Sequence, residues 1–370
     1  MADRPLQPVR RLHLDQLSGA FGIWQHARGS VPDEVHGSCT DDVARALAVD
    51  LLHRRELGWD VVRASAWTSL EFLREAQVPE TGAFRNFRSA DGAWLDGGGS
   101  QDSQGRAVLA LGTLIADAPE PAAVALASRL LVAALPVVRR LTSRRAVASA
   151  LIGCDAALDG GLRGETARAL EGLARRLASG FAKVDIRGDW PWPEAVLTYE
   201  NPLLPRAMII AGERLGQDEL VRSGLRTLDW LIRVQTAPSG FFSPIGCNGW
   251  WQRGGTPSTF DQQPIEATAM ILAARTAFDV TRDPRYRRAA EAAYGWFLGD
   301  NIVGIPVAVT ATGGCHDGLA PDHVNANQGA ESTLMWLTAL ELVRGLRTAA
   351  APPPGRRVRG PRPVLAGAWS

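Results

Sequence analysis

The chain has 370 residues, 46% apolar and 21% charged, and its forty Lys+Arg balance 39 Asp+Glu to a net charge of +1. That balance excludes a generally basic nucleic-acid surface and an acidic disordered chain as the dominant character. Four Cys in this length make no disulfide framework. No apolar run of about 18 residues stands out. The segment MADRPLQPVRRLHLDQ lacks the apolar core of a secretory leader, so a cytoplasmic chain without a membrane span is expected.

Apolar residues recur at helical spacing almost throughout. In chain order they predict helices over 14–28, 41–56, 60–77, 103–117, 119–140, 144–159, 163–183, 202–216, 218–236, 264–281, 284–299 and 328–347. Strand-like alternation is scarce, with VGIPVAVTAT at 303–312 as the best case. Short joins (57–60, 117–121, 159–164, 216–219, 281–284) alternate with long ones rich in Gly, Trp, Asn and acids (29–40, 78–102, 184–201, 237–263, 300–327). The join at 141–143 is short where a long one is due. Short joins make antiparallel helix pairs, and the long loops then gather at the opposite end. Segments 202–216 and 264–281 are apolar around much of their circumference, while 218–236 and 284–299 carry a charged face. An all-α, single (α/α)6 toroid of six hairpins over residues 1–348 is therefore expected. Its inner helices would start near 41, 103, 144, 202, 264 and 328, with the mouth at their N-terminal ends, and the helix at 14–28 would close the ring. Residues 349–370, rich in Pro and Arg, read as a disordered tail.

The inner-helix starts carry Asp41, Asp42, Asp102, Glu194, Glu200, Asp261, Glu266 and Glu331. Singly, such residues suit ordinary helix caps. Glu266, two residues after Pro264, fits a capping box with Gln263 as the cap. Collectively they converge on one mouth, where helix dipoles favour oxygen-rich ligands. Trp190, Trp192, Trp250 and Trp251 lie in the same loops. Their faces suit sugar rings, and they suit a satellite core equally well.

This pattern predicts glycosidic cleavage by two carboxylates, one protonating the leaving oxygen and the other activating water or attacking the sugar. Asp41 or Asp42 is expected as one partner, with Asp261 or Glu194 from a facing loop as the other. Glu200, Gln262, Gln263, Glu266, Asn327, Gln328 and Glu331 would hold hydroxyls, with His316 as a further substrate contact. Trp192, Trp250 and Trp251 would stack. Arg45 and Arg106, one turn beyond mouth acids, would orient them by ion pairing. No metal or cofactor is expected. Cys247 with Cys315 and His316 imitates a toroid zinc site but lacks zinc-finger spacing, as does Cys39 with His36, and neither a nucleotide loop nor a Ser elbow is present. The expected partner is an oligosaccharide or glycoside, with no nucleic acid and no membrane.

The segments CTDDVARAL (39–47), DSQGRAVLALG (102–112), WPWPEAVLTYENPLLPRAM (190–208), FSPIGCNGWW (242–251), FDQQPIEATAM (260–270) and GGCHDGL…VNANQGAEST (313–333) carry a resemblance over nearly the whole chain. It resembles the six-hairpin glycosidase-like (α/α)6-barrel proteins. More narrowly, it is similar to a bacterial subgroup encoded beside, or fused to, glycosyltransferases and mannoside phosphorylases. The resemblance implies a carbohydrate site at the mouth, and the habit of such barrels favours inversion. Alternatives on the same fold are a sugar epimerase using His316 or His323 as base, a lyase, a phosphorylase, or a non-catalytic glycan-binding or accessory protein.

Overall fold

A computed structural model describes residues 4–182, 184 and 188–348. The expected disordered tail, 349–370, lies outside them. Among the described residues there are twelve helices and eight short strands.

Six helices form an inner ring: α2 (Thr40–Leu57), α4 (Gln101–Asp117), α6 (Arg144–Asp159), α8 (Leu203–Leu215), α10 (Pro264–Thr281) and α12 (Ala330–Thr348). Each packs on the next, and α12 packs on α2. The outer helices are α3 (Trp59–Ala76), α5 (Pro121–Val138), α7 (Glu165–Phe181), α9 (Asp218–Val234) and α11 (Pro284–Phe297). Burial separates the two sets. In α10 every residue from Pro264 to Ile271 is buried, as a helix enclosed on all sides requires. In α9 the buried positions are Gly224, Thr227, Leu228, Trp230 and Leu231, a one-sided stripe at three- and four-residue spacing.

One seam is unusually close. A Cβ on Gly112 of α4 would lie 1.9 Å from the carbonyl oxygen of Gly153 in α6, and one on Gly153 would lie 2.4 Å from that of Val108. The two helices therefore meet backbone to backbone, which only glycine permits.

Two expectations are corrected. The helix at 14–28 ends early: α1 is Leu12–Leu17, followed by strands β1 (Ser18–Gly19), β2 (Gly22–Arg28) and β3 (Val31–Cys39). Gly22 has φ +135° and Gly29, in the β2–β3 turn, has φ +60°, values that break a right-handed helix. With β4 (Phe87–Arg88) these strands form an antiparallel sheet in the order β1-β2-β3-β4. The ring is closed by α12 against α2, and α1 and β2 pack on α12. The second correction is α5, which is long and apolar enough over its 18 residues to meet the length and composition test for a membrane span. Here it is an outer-ring helix whose Leu126, Leu130, Leu131, Leu135 and Val138 are buried, and it packs on α4.

Strand β3 runs directly into α2 and so delivers Asp41 and Asp42 to the mouth. Two further pairs of short strands, β5 (Val196–Leu197) with β6 (Trp251–Gln252) and β7 (Ala308–Val309) with β8 (Gly314–Cys315), tie the long loops together. The alternating run at 303–312 contributes β7 alone.

Candidate functional site

Four inner helices deliver their first turns to one cavity of about 610 Å³. Asp41, Asp42 and Arg45 come from α2, and Asp102 and Arg106 from α4. Ile265 comes from α10, and Glu331 and Ser332 from α12. The N-terminal sheet adds Gln25, His26, Cys39 and Phe87, and the mouth loops add Asn86, Tyr199, Trp250, Gln263 and Asp317.

The acids are organised by arginines near the starts of successive inner helices. Arg45 donates to Asp42 Oδ1 at 2.7 Å and to Glu331 Oε2 at 2.6 Å. Cys39 Sγ donates to the other oxygen of Asp42 at 3.2 Å. Arg106 donates to Glu200 Oε2 at 2.6 Å, and its Nε lies 3.2 Å from Asp41 Oδ1. Arg145 of α6, which sequence reasoning missed, donates to Glu194 at 3.1 and 3.2 Å and to Thr198 Oγ1 at 2.8 Å. Charge-assisted bonds of this kind fix geometry as well as charge. Arg45 and Arg106 thus make the acid contacts that their spacing predicts.

The two aspartates of α2 differ. Asp42 is held through both oxygens. Asp41 touches Arg106 and keeps a partly open side chain. Burial pushes the Asp41 carboxyl above its ordinary pKa, against the pull of Arg106 and Arg45. Asp42 is raised in the same direction, also by burial. Asp317, from the loop after β8, is half-buried, and its Oδ1 accepts from the Gly329 backbone N–H at 2.8 Å. A carboxyl biased toward its protonated form, in one cavity with other carboxylates, is the chemical requirement for acid–base work. Tyr199 donates its hydroxyl to Asp102, and burial with that bond pushes the phenol upward.

The other expected site residues are distributed unevenly. Trp250, Gln263 and Glu331 line the central cavity. Glu200 lies behind it, buried against Arg106. Glu194 lies outside it, in a second cavity of about 540 Å³ that also contains Trp192. Asp261 is exposed and is not part of the central lining, and its backbone oxygen accepts from Cys247 N–H at 2.9 Å. Trp192 and Trp251 are packed with Trp190 and Trp230. The Trp192–Trp230 rings are stacked at 6.4 Å and Trp230–Trp251 at 5.9 Å, while Trp190 meets Trp251 edge-on at 5.0 Å.

Gln262 is fully buried and accepts from Trp296 Nε1 at 2.8 Å, a core contact. Gln263 makes no side-chain cap, and Glu266 does not fold back on its helix start. Instead Glu266 accepts from the Asn201 backbone N–H at 3.3 Å and from its side-chain amide at 3.2 Å. Burial raises the Glu266 carboxyl to about 8 even though those bonds favour its charge. His316 is half-buried outside the central lining, and Asn327 accepts from Gly29 N–H at 3.0 Å. Gln328 is buried, and its carbonyl bonds to His13 Nε2 at 2.8 Å. Gln25, His26, Asn86, Phe87, Tyr199 and Asp317 are among the cavity residues that the sequence reading did not select. Asp317 and Tyr199 lay within the quoted loop segments GGCHDGL and LTYEN, where a signal was available. Among the described residues, no group of three His, Cys, Asp or Glu side chains is placed to hold a metal ion.

No family model and no curated protein matches the sequence. Solved structures do match. The chain superposes on D-mannose isomerase with a TM-score of 0.70 at 11% identity, covering 90% of this chain and 94% of that one. It superposes on the cellobiose 2-epimerase of Spirochaeta thermophila with a TM-score of 0.67 at 13% identity, covering 91% and 93%. It superposes on the GH76 α-mannanase of Bacteroides thetaiotaomicron with a TM-score of 0.65 at 8% identity, covering 91% and 94%. Near-complete coverage at this identity speaks to architecture, and with the closed ring of helical hairpins it gives the fold: the chain is an (α/α)6 toroid.

Proposed function

We propose that the chain is a carbohydrate-active enzyme that hydrolyses a glycosidic bond in the central cavity, with an oligosaccharide or glycoside as substrate. The observation that carries this reading is Asp41: partly open, raised in pKa by burial, and sharing a cavity with Asp317. Asp41 protonates the leaving oxygen. Asp317, in place of the expected Asp261 or Glu194, activates water or attacks the sugar. Asp42 and Glu331, tied to Arg45, hold the geometry. Trp250 and Phe87 offer ring faces to the sugar, and Gln25, Asn86 and Gln263 offer hydrogen bonds to its hydroxyls.

A second reading, isomerisation or epimerisation of a reducing sugar, is favoured by one observation: His26 lines the same cavity, and a neutral imidazole can act as base. Two of the three superposed structures carry such activities in their names.

Proton NMR of the full chain incubated with a panel of manno- and gluco-oligosaccharides separates the two. Hydrolysis gives new reducing ends whose first-formed anomer reports inversion or retention, and Asp41→Asn abolishes them. A C2 epimer or a ketose with no shortening of the chain, lost in His26→Ala and kept in Asp41→Asn, replaces the hydrolytic reading with the second one.

A further inference from the structure

The second cavity explains the break in the loop alternation. Every other inner helix is preceded by a longer segment, but α6 follows α5 after only residues 139–143. The cavity opens there, between the start of α6, the far end of α7 and the 190–195 loop. Ser143 marks the boundary between the cavities. Its hydroxyl donates to Asp102 of the central cavity at 3.1 Å, while its chain neighbours Thr142 and Arg144 line the second.

The charge of this second cavity has the opposite sense. Arg144, Arg176 and Arg253 reach it from three different elements. Among the described residues its one carboxylate is Glu194, which already accepts two bonds from Arg145, outside the lining. Arg144 adds a looser contact to Glu194 at 3.6 Å, and its side chain stays 41% exposed. Arg176 donates to the carbonyls of Arg139 and Leu141, just past the end of α5, and has no carboxylate partner among the described residues. Arg253 is exposed, and its side chain has no partner among the described residues. Trp190 and Trp192 line the cavity but are buried, 7% and 3% exposed, and pack on Trp230. An arginine cluster in a concave site selects an anion.

From this juxtaposition we infer that the cavity between α6, α7 and the 190–195 loop is a second saccharide site, one that takes a sugar bearing a carboxylate or a phosphate. The anionic part follows from the arginines alone. The saccharide part rests on the carbohydrate reading of the adjoining cavity.

Isothermal titration of the full chain with glucuronic acid, glucose 6-phosphate, glucose and inorganic phosphate tests it. One of the two anionic sugars binds at least tenfold tighter than glucose and than inorganic phosphate, and which one identifies the anion. Arg253→Ala, an exposed position, weakens that binding at least tenfold, whereas Asp41→Asn in the central cavity leaves it unchanged. Equal affinity for glucose or for inorganic phosphate, or an Arg253→Ala titration that matches the parent, overturns the proposal. Loss of binding in Asp41→Asn also overturns it, by moving the ligand to the other cavity. A chain that binds the anionic sugar yet releases no reducing ends from any oligosaccharide loses the hydrolytic reading and keeps this one.

Discussion

The two cavities of the mouth face meet at Ser143 and use arginine in opposite ways. In the central cavity each arginine is buried and faces a carboxylate: Arg45 serves Asp42 and Glu331, and Arg106 serves Asp41 and Glu200. Among the described residues of the second cavity, Arg144, Arg176 and Arg253 outnumber the acid Glu194, which Arg145 already satisfies. Buried, mutually paired charge is costly to desolvate and is suited to fixing geometry and proton affinity. Exposed, unmatched charge is cheap to keep and available to a ligand. The same residue type thus builds machinery in one place and a receptor in the other.

Five substitutions break or sharpen that contrast. The largest effect is expected from Asp41→Asn. Removing the proton donor lowers kcat by about 10³, the usual scale for general acid catalysis, with no loss of Tm, and initial-rate assays on the cleaved oligosaccharide check it.

Arg45→Met comes next. It leaves Asp42 buried without its cation, so urea unfolding shows a loss of about 3 kcal/mol. An Arg253→Met variant of the second cavity loses less than about 0.5 kcal/mol in the same experiment.

Glu266→Gln tests the neutral acid behind the site. A carboxyl held at about 8 in the folded chain and near 4.5 in the unfolded chain binds more protons when folded. Stability then falls as pH rises from the lower value through the higher, with a slope of up to about 1.4 kcal/mol per pH unit. Glu266→Gln flattens that slope in Tm measured from pH 5 to 8, and an unchanged profile would show that Glu266 does not carry the effect.

The smallest change is Trp250→Ala, which raises KM about tenfold, roughly the worth of one stacking contact, while kcat and Tm hold.

Much of this was legible from residue order. The hairpin rhythm gave the ring, because inner and outer helices need different apolar circumferences, and α9 and α10 show that difference directly. The segment 14–28 misled because LHLDQLSGAFGIWQHAR has helical apolar spacing, while the backbone at Gly22 needs a positive φ that periodicity does not register. The tryptophans misled for another reason. Trp192 and Trp251 owe their positions to Trp230 on α9, a contact between distant parts of the chain that no local pattern records. Trp250, adjacent to Trp251, faces the cavity instead, so neighbours in sequence received opposite roles. Glu266 looked like a capping acid because its local spacing was right. Its partner, Asn201, lies 65 residues away.

The glycine seam between α4 and α6 has a consequence for motion. Helices that touch through side chains can slide as rotamers exchange, but backbone atoms in contact have no such slack. Any widening of the ring must therefore occur at its other seams, and Arg106 and Arg145, carried on these two helices, move as one rigid piece. In hydrogen exchange, the amides of α4 and α6 beside the seam should be the last in the inner ring to exchange.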